Sequence, residues 1–431
     1  MSTVVIRPAG VPAESRGESV RASFLQVSVG FGVYAACQWA TVAVLAKLGT
    51  PELVGQYAFA VALTTPLLML AQMNLRAVLA TDVAELHDFR DYRNLRFGLL
   101  ALAMAGICVM AAWAGVDRSR SAVIVLVGLL QAGEWVADVF YGRMQQKDRT
   151  ARIALSLSAR GLLGIVALAL ALRSSHNLVI ALAWMLLVRT LVYFFYDSTY
   201  ALRHIRERRF RGNWKEQAVS QWAIFQQSLP LGIVLMAGAL VISTPRYFVA
   251  RILGERELGV FSAIFSLATA GNLIVNSLGQ AATPRLARLY AAGDAYGYRK
   301  LSLEIAAAGG VLGLAGLLGA ITFGASVIAL VYRPEYAQHG WLLVIAMAAA
   351  GAGFVASLLG YAITAARRFH EQMFLQAACL AATLVSAYVL IPRMGLPGAA
   401  ISAGVGSIVQ IVAELWIWRD VLNSMVEDAT P

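Results

Sequence analysis

Nine stretches of this chain carry no charged side chain over a length that can cross a bilayer: 23–46, 53–75, 97–116, 222–245, 258–284, 305–332, 340–366, 372–391 and 394–413. Crossing ~30 Å of hydrocarbon takes about 20 mostly apolar residues. A helix does so readily because it satisfies its own backbone polar groups without water. Three more stretches are apolar apart from isolated charges: 121–142 with Glu134 and Asp138, 153–172 with Arg160, and 177–196 with Arg189. The expectation is an all-α integral membrane protein of twelve transmembrane helices. Composition removes the soluble alternative. Of 431 residues, 59% are hydrophobic and 14% charged, too few charges to coat soluble domains of that total length. The stretch 305–332 is overlong for one crossing and is expected to end in a short interfacial piece near Phe323.

The positions of the charges set the orientation. With the N-terminus in the cytoplasm, 24 of the 35 Lys and Arg fall on cytoplasmic segments and 9 on the other side. That is the asymmetry of a positive-inside topology. The formal charge of +11 is therefore a topology signal, and no nucleic-acid partner is expected. Residues 1–21 read as a polar cytoplasmic tail holding Pro12 and Gly17, and 420–431 as a second cytoplasmic tail. The first apolar run reads as a span rather than a cleaved signal, since it is long and a second span follows directly. Cys37, Cys108 and Cys379 each lie in an apolar run without partners at ligand spacing, and read as small buried hydrophobes.

An internal repeat divides the chain. Gly49-Thr50-Pro51-Glu52-Leu53-Val54-Gly55-Gln56-Tyr57 precedes and opens the second span, and Gly254-Glu255-Arg256-Glu257-Leu258-Gly259-Val260-Phe261 does so at the eighth. Both read Gly, Glu-Leu, Gly, aromatic, about 205 residues apart with one residue of slippage. Six spans per half give both halves the same orientation, so the expectation is two six-helix lobes related by a parallel repeat about the membrane normal. The lobes are drawn at 22–200 and 222–419, joined by a basic cytoplasmic linker, 201–221, that contains Arg203-His204-Ile205-Arg206-Glu207-Arg208-Arg209. Such a linker suits anionic headgroups.

Three stretches carry a resemblance: the repeated turn just quoted; Ser228-Leu229-Pro230-Leu231-Gly232 at the seventh span; and Leu390-Ile391-Pro392-Arg393-Met394-Gly395-Leu396-Pro397-Gly398-Ala399-Ala400-Ile401 between the last two. With the twelve-span layout, the chain resembles the polysaccharide flippases of the multidrug/oligosaccharidyl-lipid/polysaccharide (MOP) exporter superfamily over almost its whole length. The resemblance implies an undecaprenyl-diphosphate-linked oligosaccharide as substrate, moved across a bacterial inner membrane. It also implies pathway neighbours such as a polymerase and glycosyltransferases as partners, besides membrane lipids.

The residues lead to a related place. Ionisable groups deep in a span are costly and persist where they face a wet cavity or a partner. Arg149, Arg152, Ser156 and Arg160 step by three and four along one helix face, continued by Gly164. Gln131, Glu134, Trp135, Asp138 and Tyr141 share a face of the fourth span; Arg189, Tyr193, Tyr196, Asp197 and Tyr200 line the sixth. The first span adds Tyr34, Gln38 and Thr41, and the eighth adds Thr269, Asn272, Asn276, Gln280 and Thr283.

Arg160 and Arg189 have two readings. They hold a diphosphate or anionic sugar through paired hydrogen bonds, with Arg152 at the mouth. Alternatively Arg160 pairs with Glu134, and Arg189 with Asp138 or Asp197. Gln38, Tyr193, Asn272 and Asn276 are candidates to meet sugar, or else to join helices. Glu134 and Asp138 are candidates to couple transport to protons, or else structural partners. Gly309, Gly310, Gly313, Gly316 and Gly319 read as a close-packing stripe, and Pro66, Pro230 and Pro245 as kinks.

No Gly-x-x-x-x-Gly-Lys-Ser/Thr loop and no Asp-x-Asp pair occurs, and the five histidines read as loop residues. No cofactor, metal or catalytic residue is expected. Related cation-coupled drug exporters keep an acidic residue in the first span, and 23–46 has none. A drug or other small-molecule exporter of the same fold is the alternative, and a membrane glycan polymerase or ligase is a more distant one.

Overall fold

The computed structural model describes residues 13–81, 87–113, 117–146, 150–198 and 214–427, and nearly all of them are helical. In chain order the helices are α1 (Ala13–Leu48), α2 (Pro51–Gln72), α3 (Leu75–Thr81), α4 (Phe89–Trp113), α5 (Arg118–Gln146), α6 (Thr150–Ser175) and α7 (Leu178–Val192). There follow α8 (Trp214–Ile252), α9 (Glu255–Ala268), α10 (Asn272–Ala291), α11 (Ala295–Val331), α12 (Pro334–Ala337), α13 (Gly340–Ala365), α14 (Phe369–Met394) and α15 (Leu396–Glu427). A π-helical turn, Tyr193–Ser198, extends α7, and a 3-10 turn, Thr269–Gly271, links α9 to α10. Taken with these links, twelve helices among the described residues are long and apolar enough to span a membrane. With an even number of crossings, both ends of the described chain emerge on one side, here called the termini face.

Short connections contain residues suited to the turns. Thr50 is extended and Pro51 starts α2, where a missing N–H does no harm. The Asn177 side chain accepts from the N–H groups of Val179 and Ile180 and so caps α7. Gly254 and Gly395 take φ of +93° and +66° at the breaks before α9 and α15, a region that favours glycine. Asp294 accepts from the N–H of Gly297 at 2.8 Å and caps α11.

Several boundaries differ from the sequence reading. Residues 13–21, expected in a tail, continue α1, because past Pro12 nothing breaks the helix; 1–12 lie outside the described residues. Residues 214–221, expected in the linker, open α8, while 199–213 lie outside the described residues. The C-terminal end of α15 likewise runs past Arg419 to Glu427. Helix α11 passes through Phe323 unbroken over 37 residues, so the expected interfacial piece does not form. It contains no proline, and its length extends it beyond the hydrocarbon instead.

Packing repeats between the halves. In the first lobe α1 packs on α6, α6 on α7, α7 on α5, α5 on α2 and α4, and α4 on α2. In the second, α8 packs on α14, α14 on α15, α15 on α13, α13 on α9, α10 and α11, and α11 on α10. With α9 and α10 counted as one broken span, the counterpart of α2, replacing each helix by its counterpart reproduces the same six pairs, as a parallel repeat requires. The stripe on α11 works at one of these pairs. A Cβ on Gly313 would lie 2.6 Å from Cα of Gly351, and one on Gly309 3.1 Å from the carbonyl oxygen of Phe354. The backbones of α11 and α13 therefore touch, although a Cβ on Gly319 would meet nothing.

The lobes meet chiefly where α2 crosses α9 and α8. The repeated turn supplies the first crossing. A Cβ on Gly55 would fall on the carbonyl oxygen of Glu255, and one on Gly259 on that of Pro51. Each glycine thus faces the first turn of the opposite helix, an approximately two-fold arrangement only glycine allows.

Candidate functional site

The intramembrane charges gather in the first lobe. Arg189 of α7 donates through Nη1 to Oε1 of Glu134 on α5 at 2.7 Å, and Gln38 of α1 donates to the same oxygen at 3.0 Å. Gln38 also donates to the Tyr34 hydroxyl at 3.1 Å, and the Arg189 guanidinium carbon lies 5.8 Å from the Tyr34 ring centroid. Small residues on α6 make room. A Cβ on Gly164 would come within 2.8 Å of Arg189 Nε, and one on Gly161 within 2.8 Å of Cys37 Sγ. Arg189 is 5% exposed and Arg160 3%, so both guanidiniums sit inside the bundle. A charge so placed is tolerated only with partners.

The pairing differs from the one expected. Arg160 does not take Glu134: its Nη1 donates to the Tyr141 hydroxyl at 3.2 Å, which shares a 2.7 Å hydrogen bond with Ser156. Glu134 takes Arg189, one turn from Asp138 along α5. Asp138 takes Arg76 at 3.2 Å, with Arg96 at 3.8 Å. The side chain of Asp197 lies outside the described residues. Arg76 and Arg96 read in sequence as loop charges at the ends of spans. The short helix α3 packs on α4 and α5 and turns Arg76 inward, where it also lies 5.0 Å from the Phe31 ring centroid. Arg96 is 1% exposed, at the buried side of α4.

Arg160, Arg189 and Tyr193 line one cavity of about 210 Å³, together with Gly133, Thr190 and Phe194. Tyr193 starts the π turn, with Phe140 and Phe194 edge-on at 6.1 and 5.5 Å. Arg152 lies exposed near the termini end of α6. Asn272 and Asn276 stand apart on α10 in the second lobe, Asn276 exposed and accepting from the Tyr361 hydroxyl at 3.5 Å. Among the described residues no hydrogen bond or ion pair joins them to the first-lobe cluster. Nor does any group of three His, Cys, Asp or Glu come together in metal-binding geometry among those residues.

The face opposite the termini is laced shut between lobes. Lys47 donates to the carbonyl oxygens of Leu330 and Tyr332 at 3.0 and 2.9 Å, and Arg333 to that of Gly49 at 2.8 Å. Arg120 pairs with Glu255 at 3.0 Å, Gln56 donates to Glu255 at 3.2 Å, and Arg256 stands 3.7 Å from Glu52. These groups rim a cavity of about 660 Å³ that Phe59 and Tyr247 also line. The Tyr332 hydroxyl donates to the carbonyl oxygen of Ala263 at 2.8 Å.

Solved structures of MOP-superfamily transporters share this twelve-helix fold. A multidrug resistance MATE family transporter in its inward-facing conformation superposes with a TM-score of 0.67 at 14% identity, covering 93% of this chain and 95% of that one. A MOP superfamily transporter from Pyrococcus furiosus, described as having a binding pocket of reverse polarity, gives 0.63 at 17% identity, covering 94% and 96%. The sequence narrows the class. The polysaccharide biosynthesis protein family matches residues 24–290, more than half of the chain, and the chain belongs to that family. The capsular polysaccharide biosynthesis protein CapF of Staphylococcus aureus is 23% identical over 387 residues, covering 89% of this chain and 96% of the relative. The chain is thus a multi-pass membrane protein of the polysaccharide biosynthesis protein family, with the fold seen in MOP-superfamily transporters.

Proposed function

We propose that the protein is a flippase that moves an undecaprenyl-diphosphate-linked oligosaccharide from the cytoplasmic to the periplasmic leaflet of a bacterial inner membrane. The observation that carries this reading is the cationic first lobe. Arg76, Arg96, Arg160 and Arg189 gather there around Glu134, Asp138 and the Tyr141 hydroxyl. A planar guanidinium can grip a diphosphate through paired hydrogen bonds, and a cationic drug offers it no such partner. The polar groups of α10, with Asn272 and Asn276, form the second-lobe wall for sugar hydroxyls, and Gln38 and Tyr193 do the same in the first.

Both termini are cytoplasmic in this reading, as the excess of Lys and Arg on that side supports. The laced face is then periplasmic, and this conformation is closed to the periplasm. Transport proceeds by alternating access: the lacing opens as the lobes rock, while the lipid tail stays in the bilayer. The protein acts as a carrier, with no covalent step. Polymerase and glycosyltransferases of the same route are its natural pathway partners.

The test is deletion of the gene in its host. The expected result is loss of surface glycan with lipid-linked oligosaccharide accumulating on the cytoplasmic side. Normal surface glycan with altered efflux of cationic dyes would overturn the proposal in favour of a small-molecule exporter.

A further inference from the structure

One buried acid has no part in the first-lobe network. Glu414 of α15 is 3% exposed, two turns inside the ion pair of Arg368 with Asp420 at the termini end. Gly406, Gln410 and Glu414 follow at four-residue steps and share one face of the helix. Gln410 donates to Glu414 Oε1 at 2.9 Å, while Oε2 is buried without a hydrogen-bond partner.

The surroundings bring no cation among the described residues. A Cβ on Gly360 of α13 would lie 3.0 Å from Glu414 Oε1, so that backbone presses on the carboxyl. From α14 come Cys379, beside the carboxyl, and Thr383, whose buried hydroxyl also lacks a partner. From α8 comes Val241, at the level of Gly406. Cys379 is the one titratable group among these neighbours. The helices α9 and α11 touch α15 more lightly and bring it no hydrogen bond or ion pair among the described residues. Glu134 differs in kind, with a guanidinium and an amide both on one oxygen.

An ionised carboxylate in such a place, with one neutral donor and no cation, is strongly disfavoured against the neutral acid. A metal ion would need several more oxygens than this site holds. We propose that Glu414 is a proton-binding site of the second lobe, protonated in the conformation described here and deprotonated when lobe movement admits water. The step balances simply: the carboxylate takes one proton from water on one face, and the acid returns it to water on the other. Coupling this to glycan movement rests on the transport reading above, whereas the proton site itself does not.

Infrared difference spectra of the purified protein across a pH titration test the site directly. The expected result is a protonated-carboxyl carbonyl band that responds to pH and disappears in Glu414→Gln. That variant keeps the shape and the Gln410 contact, and its thermal unfolding should match wild type. Absence of the band, or its persistence in Glu414→Gln, would overturn the proposal. In proteoliposomes with an imposed pH gradient, Glu414→Gln should move lipid-linked glycan only at the rate seen without a gradient. Gradient-driven movement that survives in Glu414→Gln would overturn the coupling. A titrating band in a wild-type protein that moves no glycan would instead sink the transport reading and leave the proton site standing.

Discussion

Glu134 shows how one carboxylate oxygen joins three helices, taking Arg189 from α7 and Gln38 from α1. Arg189→Ala leaves Glu134 with Gln38 alone and should lower stability by about 3 kcal/mol, the scale for orphaning one member of a buried pair. Neutralising both, as Glu134→Gln with Arg189→Gln, should recover most of that loss in thermal unfolding of the purified protein. Glycan export should stay low in the double variant; wild-type export there would reduce the pair to a structural clamp. Arg160 makes a separate case, since its Nη1 donates to the Tyr141 hydroxyl. Arg160→Lys keeps the charge but loses the planar fork, so export should fall while the amount of protein in the membrane stays near normal. Export at wild-type level would show that charge alone suffices at this position.

At the scale of elements, the repeated turn joins two helices by backbone contact. Gly55 and Gly259 face Glu255 and Pro51 across the crossing of α2 and α9. A methyl group there has no space, so Gly55→Ala and Gly259→Ala should each cost about 1–3 kcal/mol, the usual range for overpacking. Their likeness in position predicts a likeness in effect. Gly319→Ala is the control, since its Cβ meets nothing and alanine favours a helix. Thermal unfolding of the three variants checks both expectations, and a Gly319→Ala protein as unstable as the others would refute the contact argument.

For the whole molecule, the lacing between lobes decides which face is open. Its ion pairs are partly exposed: Arg120 and Glu255 are 43% and 25% exposed, and such pairs contribute about 0–1 kcal/mol each. Glu255→Gln should therefore leave the unfolding temperature almost unchanged. An energy that small still shifts a two-state equilibrium several-fold. A cysteine introduced at Phe59, beside the laced cavity, should react faster with an impermeant thiol reagent in the Glu255→Gln background. An unchanged rate would mean that the helix crossing, not the lacing, holds this face closed. The orientation has its own test. A cysteine replacing Arg209 should be labelled from the cytoplasmic side only, and labelling from outside intact cells would invert the topology.

Twelve spans, their order and the parallel repeat were legible in the chain, because charge-free runs of that length have few other solutions and a repeated turn survives as residue types. The gathering of polar groups on faces of the first, fourth, fifth and sixth spans was legible too, since helical spacing puts them there. Which charge meets which was not. Arg189 rather than Arg160 reaches Glu134, and Arg76 and Arg96 come in from span ends to Asp138, because helix rotation and the fold-back of α3 set those distances. Glu414 escaped notice for a similar reason. It stands one residue past the charge-free run 394–413, where sequence places a border, while the 32-residue α15 carries it into packing with α13 and α14. Periodicity along one helix fixes which residues share a face. Only the packing of helices far apart in the chain decides which faces meet, and which partner a charge finds there.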